Sequence, residues 1–215
     1  MKQRAIFLDR DGTLNRDVPY AHRIEDLQLL DHVAAGLAWM AAMGFELVIV
    51  TNQAGIARGY FSEDDMHAFH RALCERLEAE RIGIAAIYYC PFHPSEGIGP
   101  YRRASPLRKP RPGMILQAAA QHDLDLSASF TIGDNESDIL AGQAAGCRTI
   151  LVRSGADNVG KAELTARPDF VAADLLEAAR FIEQTQPPAT DVPAAGKYSY
   201  LAGQGHQGNR RGFVI

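Results

Sequence analysis

Along most of the chain, short apolar runs alternate with stretches of helical period. The runs "AIFLD" (5–9), "ELVIV" (46–50), "AIYYC" (86–90), "SFTIG" (129–133), "TILV" (149–152) and "DFVA" (169–172) read as strands. Their hydrophobicity is continuous instead of strictly alternating, which suits strands covered on both faces. Between them the apolar spacing predicts helices over 31–43, 62–81, 112–122, 136–145 and 174–184. The second puts Met66, Phe69, Leu73 and Leu77 on one face, and Ser62 with Asp65 forms a capping pattern at its start. Gly44 stands where the first helix should stop. This alternation predicts a three-layer α/β domain built on a mainly parallel sheet.

From residue 187 the pattern dissolves. Residues 187–215 are rich in Pro, Ala and Gly without a sustained period, and read as a linker and tail behind one domain over 1–186. Within the tail, "YSYL" and "GFVI" carry enough apolar surface to dock on the body or on a neighbouring subunit.

Composition narrows the class. At 215 residues and 47% hydrophobic, the chain can bury one full core. A net charge of −4 supplies no global basic field, which weighs against nucleic acid as a partner. No apolar run approaches a membrane span, and "MKQRAIFLDRDG" at the N-terminus has no signal-peptide core. Cys74, Cys90 and Cys147 are an odd, scattered set and not a disulfide framework. The expectation is a cytoplasmic monomer acting without a membrane.

Four short segments carry candidate chemistry. In "IFLDRDGTLN", Asp9 ends a strand and Asp11 lies two residues on, so both carboxylates can point to one side, with Gly12 permitting a sharp exit. In "VTNQAGIARG", Thr51 offers a hydroxyl at a strand end. In "RKPRPG", Lys109 is a cation on a proline-stiffened segment. In "TIGDNESD", Asp134 follows a strand while Glu136 and Asp138 open a helix, where acidic groups suit the helix dipole or a Mg²⁺ ion. Each segment alone is equally a turn, a cap or a solvated surface; their order and context together point to a site.

As a set, "DRDGT", "TN", "RKP" and "GDNESD" resemble the four motifs of the haloacid dehalogenase-like (HAD) phosphohydrolase superfamily. The resemblance implies a Rossmann-like HAD fold and a two-step phosphoryl transfer. In that scheme Asp9 is the nucleophile and Asp11 the general acid and base. Asp9, Asp134 and the backbone carbonyl of Asp11 hold Mg²⁺ with Asp138 in support, while Thr51 and Lys109 balance charge on the phosphoryl oxygens. The intervals from Asp9 to Thr51 and from Thr51 to Lys109 leave no comfortable room for a separate cap domain, so specificity falls to the loops at 16–26 and 91–108.

Within the superfamily, "FLDRDGTLN", "TNQAGIARG", "YYCPFHP" and "RKPRPGM" look like the branch of histidinol-phosphate and heptose-bisphosphate phosphatases, nearest the latter. That implies removal of the 7-phosphate from a heptose 1,7-bisphosphate during lipopolysaccharide-precursor synthesis. Arg108, then Asn52, Gln53 and Arg58, are the candidates for binding the substrate, its second phosphate included. For Arg102 and Arg103 a solvated loop is as good a reading.

The branch usually carries a structural zinc held by Cys-x-His and Cys-x-Cys. Here Cys90 fills the first position, Phe92 stands where the histidine belongs, His93 is one residue late, and Ser105 and Leu107 replace the second pair. Four good ligands are not available, so no zinc is expected. A histidinol-phosphate or other small-ester phosphatase is the nearest rival. A polynucleotide-end phosphatase lacks an obvious stacking platform, and a noncatalytic phosphate-binding or regulatory protein would not need the complete motif set.

Overall fold

The computed structural model describes residues 2–154, 165–185 and 213–214. The elements run β1 (Arg4–Leu8), α1 (Val33–Ala42), β2 (Phe45–Asn52), α2 (Ala54–Ala57), α3 (Glu63–Ala79), β3 (Ala86–Cys90), α4 (Gly113–His122), β4 (Phe130–Gly133), α5 (Glu136–Ala145), β5 (Arg148–Val152), β6 (Phe170–Ala172), α6 (Leu175–Thr185) and β7 (Phe213–Val214). All six predicted strands and five predicted helices are there. The four-residue α2 and the two-residue β7 are additions.

The sheet is parallel throughout, in the order β6-β5-β4-β1-β2-β3-β7. β7 comes from the "GFVI" segment and pairs with β3 at Ile87 and Tyr88; "YSYL" lies outside the described residues. Both sheet faces are covered, as the continuous apolar runs require. Ile6, Leu8, Leu47 and Ile49 share a core with Leu37, Phe69, Leu73 and Ile182. Their strand neighbours Ala5, Phe7, Val48 and Val50 share another with Met114, Ile115 and Ala118. The period-2 alternation of side chains thus divides one sheet between two helical layers.

Local signals explain the helix bounds. Ser62 Oγ accepts from the Asp65 amide at 3.1 Å, and the Asp65 carboxylate accepts from the Ser62 amide at 2.8 Å. Below that box, Met66, Phe69, Leu73 and Leu77 are fully buried. Gly44, just past α1, takes φ of +83°, a left-handed conformation that glycine adopts without strain.

β1 lies between β2 and β4, so the chain crosses from one side of the sheet to the other at its centre. Open parallel sheets bind ligands beyond the strand ends at such a crossing. Between Asp9 and Thr51 lie loops, one short turn of helix and α1; between Thr51 and Lys109 lie α2, α3, β3 and a short turn. Neither interval holds a cap domain. Among the described residues no helix is long and apolar enough to cross a membrane.

Candidate active site

Three strand ends and one loop build the floor of a cleft. Asp9 follows β1, Thr51 lies near the end of β2, Asp134 follows β4, and Lys109 comes from the loop between β3 and α4. Asp9, Asp134 and Asp138 are all buried, with carboxylate oxygens within 4.8 Å of one another. Lys109 Nζ lies 2.7 Å from Asp9 Oδ1 and 2.6 Å from Asp138 Oδ1, and donates to the Val50 carbonyl at 2.8 Å.

One ammonium pairs with two of the three clustered carboxylates, and the proton affinities reflect the imbalance. Burial, and then Asp138, push the Asp9 carboxyl up to about 7 against the pull of Lys109. Burial likewise raises Asp138. Burial draws the Lys109 ammonium down, but Asp138 and Asp9 more than offset this and hold it above its ordinary value. A buried, oxygen-only donor set with surplus negative charge fits a hard divalent cation such as Mg²⁺.

Gly12 shapes the same place. Its φ is +78°, and a Cβ there would meet Asp134 Oδ2 at 2.6 Å. Gly12→Ala is therefore expected to strain the turn by about 1–3 kcal/mol and to displace Asp134. Calorimetric titration should find Mg²⁺ affinity weakened by at least about tenfold.

Asp11 sits beside the cluster in a hydrogen-bonded cradle. Arg10, fully buried, grips its carboxylate through Nε and Nη2 at 2.9–3.2 Å. Asn15 Nδ2 and Gln53 Nε2 each donate to it at 3.0 Å. The guanidinium is itself held by the Ala21 carbonyl, by Phe69 beneath its plane and by His70 Nε2 at 3.1 Å. Burial, and then Arg10, hold His70 well below its ordinary pKa, so it is neutral and accepts from Arg10. Sequence reasoning missed Arg10, Asn15 and His70. The readable signal was His70 itself, a polar residue at a core position of the α3 stripe.

Above the floor the cleft encloses about 420 Å³, and its walls include Asn52, Gln53, Arg58 and Arg108. Two of these four also hold the floor in place. The Asn52 amide bonds to both the Lys109 N–H and the Lys109 carbonyl, at 3.0 and 3.1 Å. Gln53 Nε2 donates to Thr51 Oγ1 at 2.9 Å as well as to Asp11. Arg58 and Arg108 reach the wall from α2's C-terminus and from the loop before α4. Arg103 stacks over Phe92 at 3.9 Å, and Arg111 donates to the Ser105 carbonyl. Glu136 turns away from the cluster and accepts from the amides of Thr165 and Ala166.

The loop positions weighed for zinc in the sequence are occupied by packing side chains and hydrogen-bonded groups. Phe92 is buried in the second core with Cys90, and Leu107 and Tyr101 pack against it. His93 Nδ1 accepts from the Glu96 amide at 2.9 Å, and Ser105 Oγ from the Leu107 amide at 3.2 Å. Phe92 and Leu107 offer no donor atom, so the residues present do not fit a four-ligand zinc site.

The HAD-hydrolase-like family matches residues 106–178. Over 152 residues the chain is 48% identical to D-glycero-alpha-D-manno-heptose-1,7-bisphosphate 7-phosphatase of Burkholderia mallei, covering 71% of this chain and 80% of that protein. It is 39% identical to the D-glycero-beta-D-manno-heptose-1,7-bisphosphate 7-phosphatase of Escherichia coli K12, covering 86% and 96%. Among solved structures, D,D-heptose 1,7-bisphosphate phosphatase from B. bronchiseptica, complexed with magnesium and phosphate, superposes with a TM-score of 0.73. That pair is 29% identical, over 84% of this chain and 98% of the other.

Proposed function

Since the chain belongs to the HAD-like phosphatases, in the branch of the heptose-1,7-bisphosphate 7-phosphatases, we propose that it removes the 7-phosphate of D-glycero-D-manno-heptose 1,7-bisphosphate in a Mg²⁺-dependent reaction. The observation that carries this reading is the buried Asp9–Asp134–Asp138–Lys109 cluster beneath a cleft with two arginines in its wall. One phosphate reacts at the floor while the arginines hold the other. The substrate is a free cytoplasmic sugar phosphate met by a monomer, with neither nucleic acid nor membrane involved.

In the first step an Asp9 carboxylate oxygen attacks phosphorus, the bond from phosphorus to the sugar oxygen breaks, and Asp11 gives that oxygen its proton. In the second, Asp11 takes a proton from water, the water oxygen bonds to phosphorus, and the Asp9–phosphorus bond breaks. The balance is one phosphate monoester and one water consumed, one alcohol and one inorganic phosphate formed. The Arg10, Asn15 and Gln53 cradle keeps Asp11 aimed at the reacting oxygen. Lys109 and Thr51 stabilise the phosphoryl oxygens as charge develops there. Asp9, Asp134 and the Asp11 backbone carbonyl would hold Mg²⁺, with Asp138 supporting them. When bound, the ion supplies the positive charge that lets an anionic carboxylate approach an anionic phosphate. An open cleft admits water, which favours hydrolysis over transfer to another acceptor. The loop at 91–108 keeps its shape by packing of Phe92, Leu107 and Tyr101 and needs no zinc.

Phosphate release should be measured with Mg²⁺ as the sole added metal, on both heptose-bisphosphate anomers, histidinol phosphate and a 3′-phosphorylated oligonucleotide. The expected result is a kcat/KM for one heptose bisphosphate at least about tenfold above every other ester, and none after chelation. Faster turnover of histidinol phosphate would overturn the assignment.

A further inference from the structure

One ion pair at the cleft ties up an arginine that the second phosphate needs. Arg58 lines the cleft, yet both its Nε and its Nη2 are directed at a single oxygen of Glu96, at 2.9 and 2.7 Å. The Glu96 side chain is 60% exposed and that of Arg58 22%. Glu96 is fastened at its root, by its backbone N–H to His93 Nδ1, and by Arg58 at its head. Arg58 has other support. Its guanidinium lies 5.5 Å from the Tyr20 ring, which rests edge-on against Tyr60 with centroids 4.4 Å apart. Arg108 lines the same cleft as Arg58.

We propose that Glu96 is a placeholder for the substrate's second, non-reacting phosphate, occupying Arg58 in the empty cleft and yielding it when a bisphosphate binds. The proposal rests on the bisphosphate reading above. A phosphate offers three oxygens and about two charges where the carboxylate offers one oxygen to the same fork. Exposed ion pairs contribute little, so a dianion that also feels Arg108 displaces this one readily. A substrate with a single phosphate, bound at Asp9, gains nothing from the exchange. Glu96 therefore sets how tightly the bisphosphate, and the monophosphate product that keeps the second phosphate, are held. By returning to Arg58, the carboxylate helps that product to leave.

The test compares Glu96→Gln, Arg58→Met and Arg108→Met with the native protein, on heptose 1,7-bisphosphate and on heptose 7-phosphate. Glu96→Gln is expected to lower KM for the bisphosphate by about two- to fivefold and to tighten inhibition by heptose 1-phosphate similarly. KM for the 7-phosphate should stay where it was. Each arginine variant should raise KM for the bisphosphate by at least about tenfold. If Glu96→Gln raises that KM, Glu96 is a buttress for Arg58 and the placeholder role is wrong. A flat response to Glu96→Gln with the arginine effects intact also overturns the placeholder, while leaving the bisphosphate reading standing. Arginine variants that do not distinguish the two substrates overturn both.

Discussion

Replacing Asp9 with Asn lowers kcat by at least about a thousandfold and leaves the fold intact. The amide is close in shape to the carboxyl but is no nucleophile, so the first chemical step has no attacking atom. Stability moves the other way. Asp9 is buried, and burial with Asp138 already pushes its carboxyl up to about 7. A neutral isostere relieves that crowding of negative charge. The metal-free variant is expected to unfold at the same temperature as the native protein or higher. Loss of activity together with loss of folded protein would remove the result's meaning for mechanism, and circular dichroism alongside the kinetics separates the two.

Lys109→Met has the opposite stability profile. Lys109 is 4% exposed and is paired with Asp9 and Asp138. Methionine keeps the bulk of the stem but leaves buried carboxylates facing one another without their ammonium. Breaking a buried pair in this way costs about 3–5 kcal/mol, to be read as a lower urea midpoint. Because the deficit is one of positive charge, saturating Mg²⁺ should restore part of it, and should raise the midpoint more in the variant than in the native protein. Activity should still fall by about 10²–10³-fold, since a cation bound elsewhere in the cluster does not replace the ammonium's contact with the phosphoryl oxygens.

The architecture was legible because its signals are local. Strands buried on both faces must be continuously apolar, and α3 announces itself through Ser62, Asp65 and the stripe from Met66 to Leu77. The strand-end residues Asp9, Thr51 and Asp134 were legible too, because a parallel sheet gathers its strand ends at one edge, and Lys109 was legible from its proline-flanked loop segment. What escaped depends on distant segments. Arg10 looks like a spacer between two aspartates. Its burial is tolerable only because Ala21, Gln53 and His70, from further along the chain, join its neighbour Asp11 in converging on it. By position alone Glu136 and Asp138 are both helix-opening carboxylates; the family resemblance singles out Asp138, and the amides of residues 165 and 166 claim Glu136. Asn52 and Gln53, read as substrate-binding candidates, do line the cleft, but nothing in the sequence signalled that their amides also hold Lys109, Thr51 and Asp11 in place. Two-residue β7 and four-residue α2 are too short for any period to show.

The central claim is that phosphorus passes through Asp9. Acid quench of a single turnover of heptose 1,7-bisphosphate with Mg²⁺, followed by peptide mapping, tests it most directly. The account predicts a transient phosphoryl group on Asp9 that forms before inorganic phosphate appears and is absent from the Asp9→Asn protein. Phosphate released at full rate with no labelled aspartate, and with oxygen from solvent water incorporated in its first bond-making step, would contradict it.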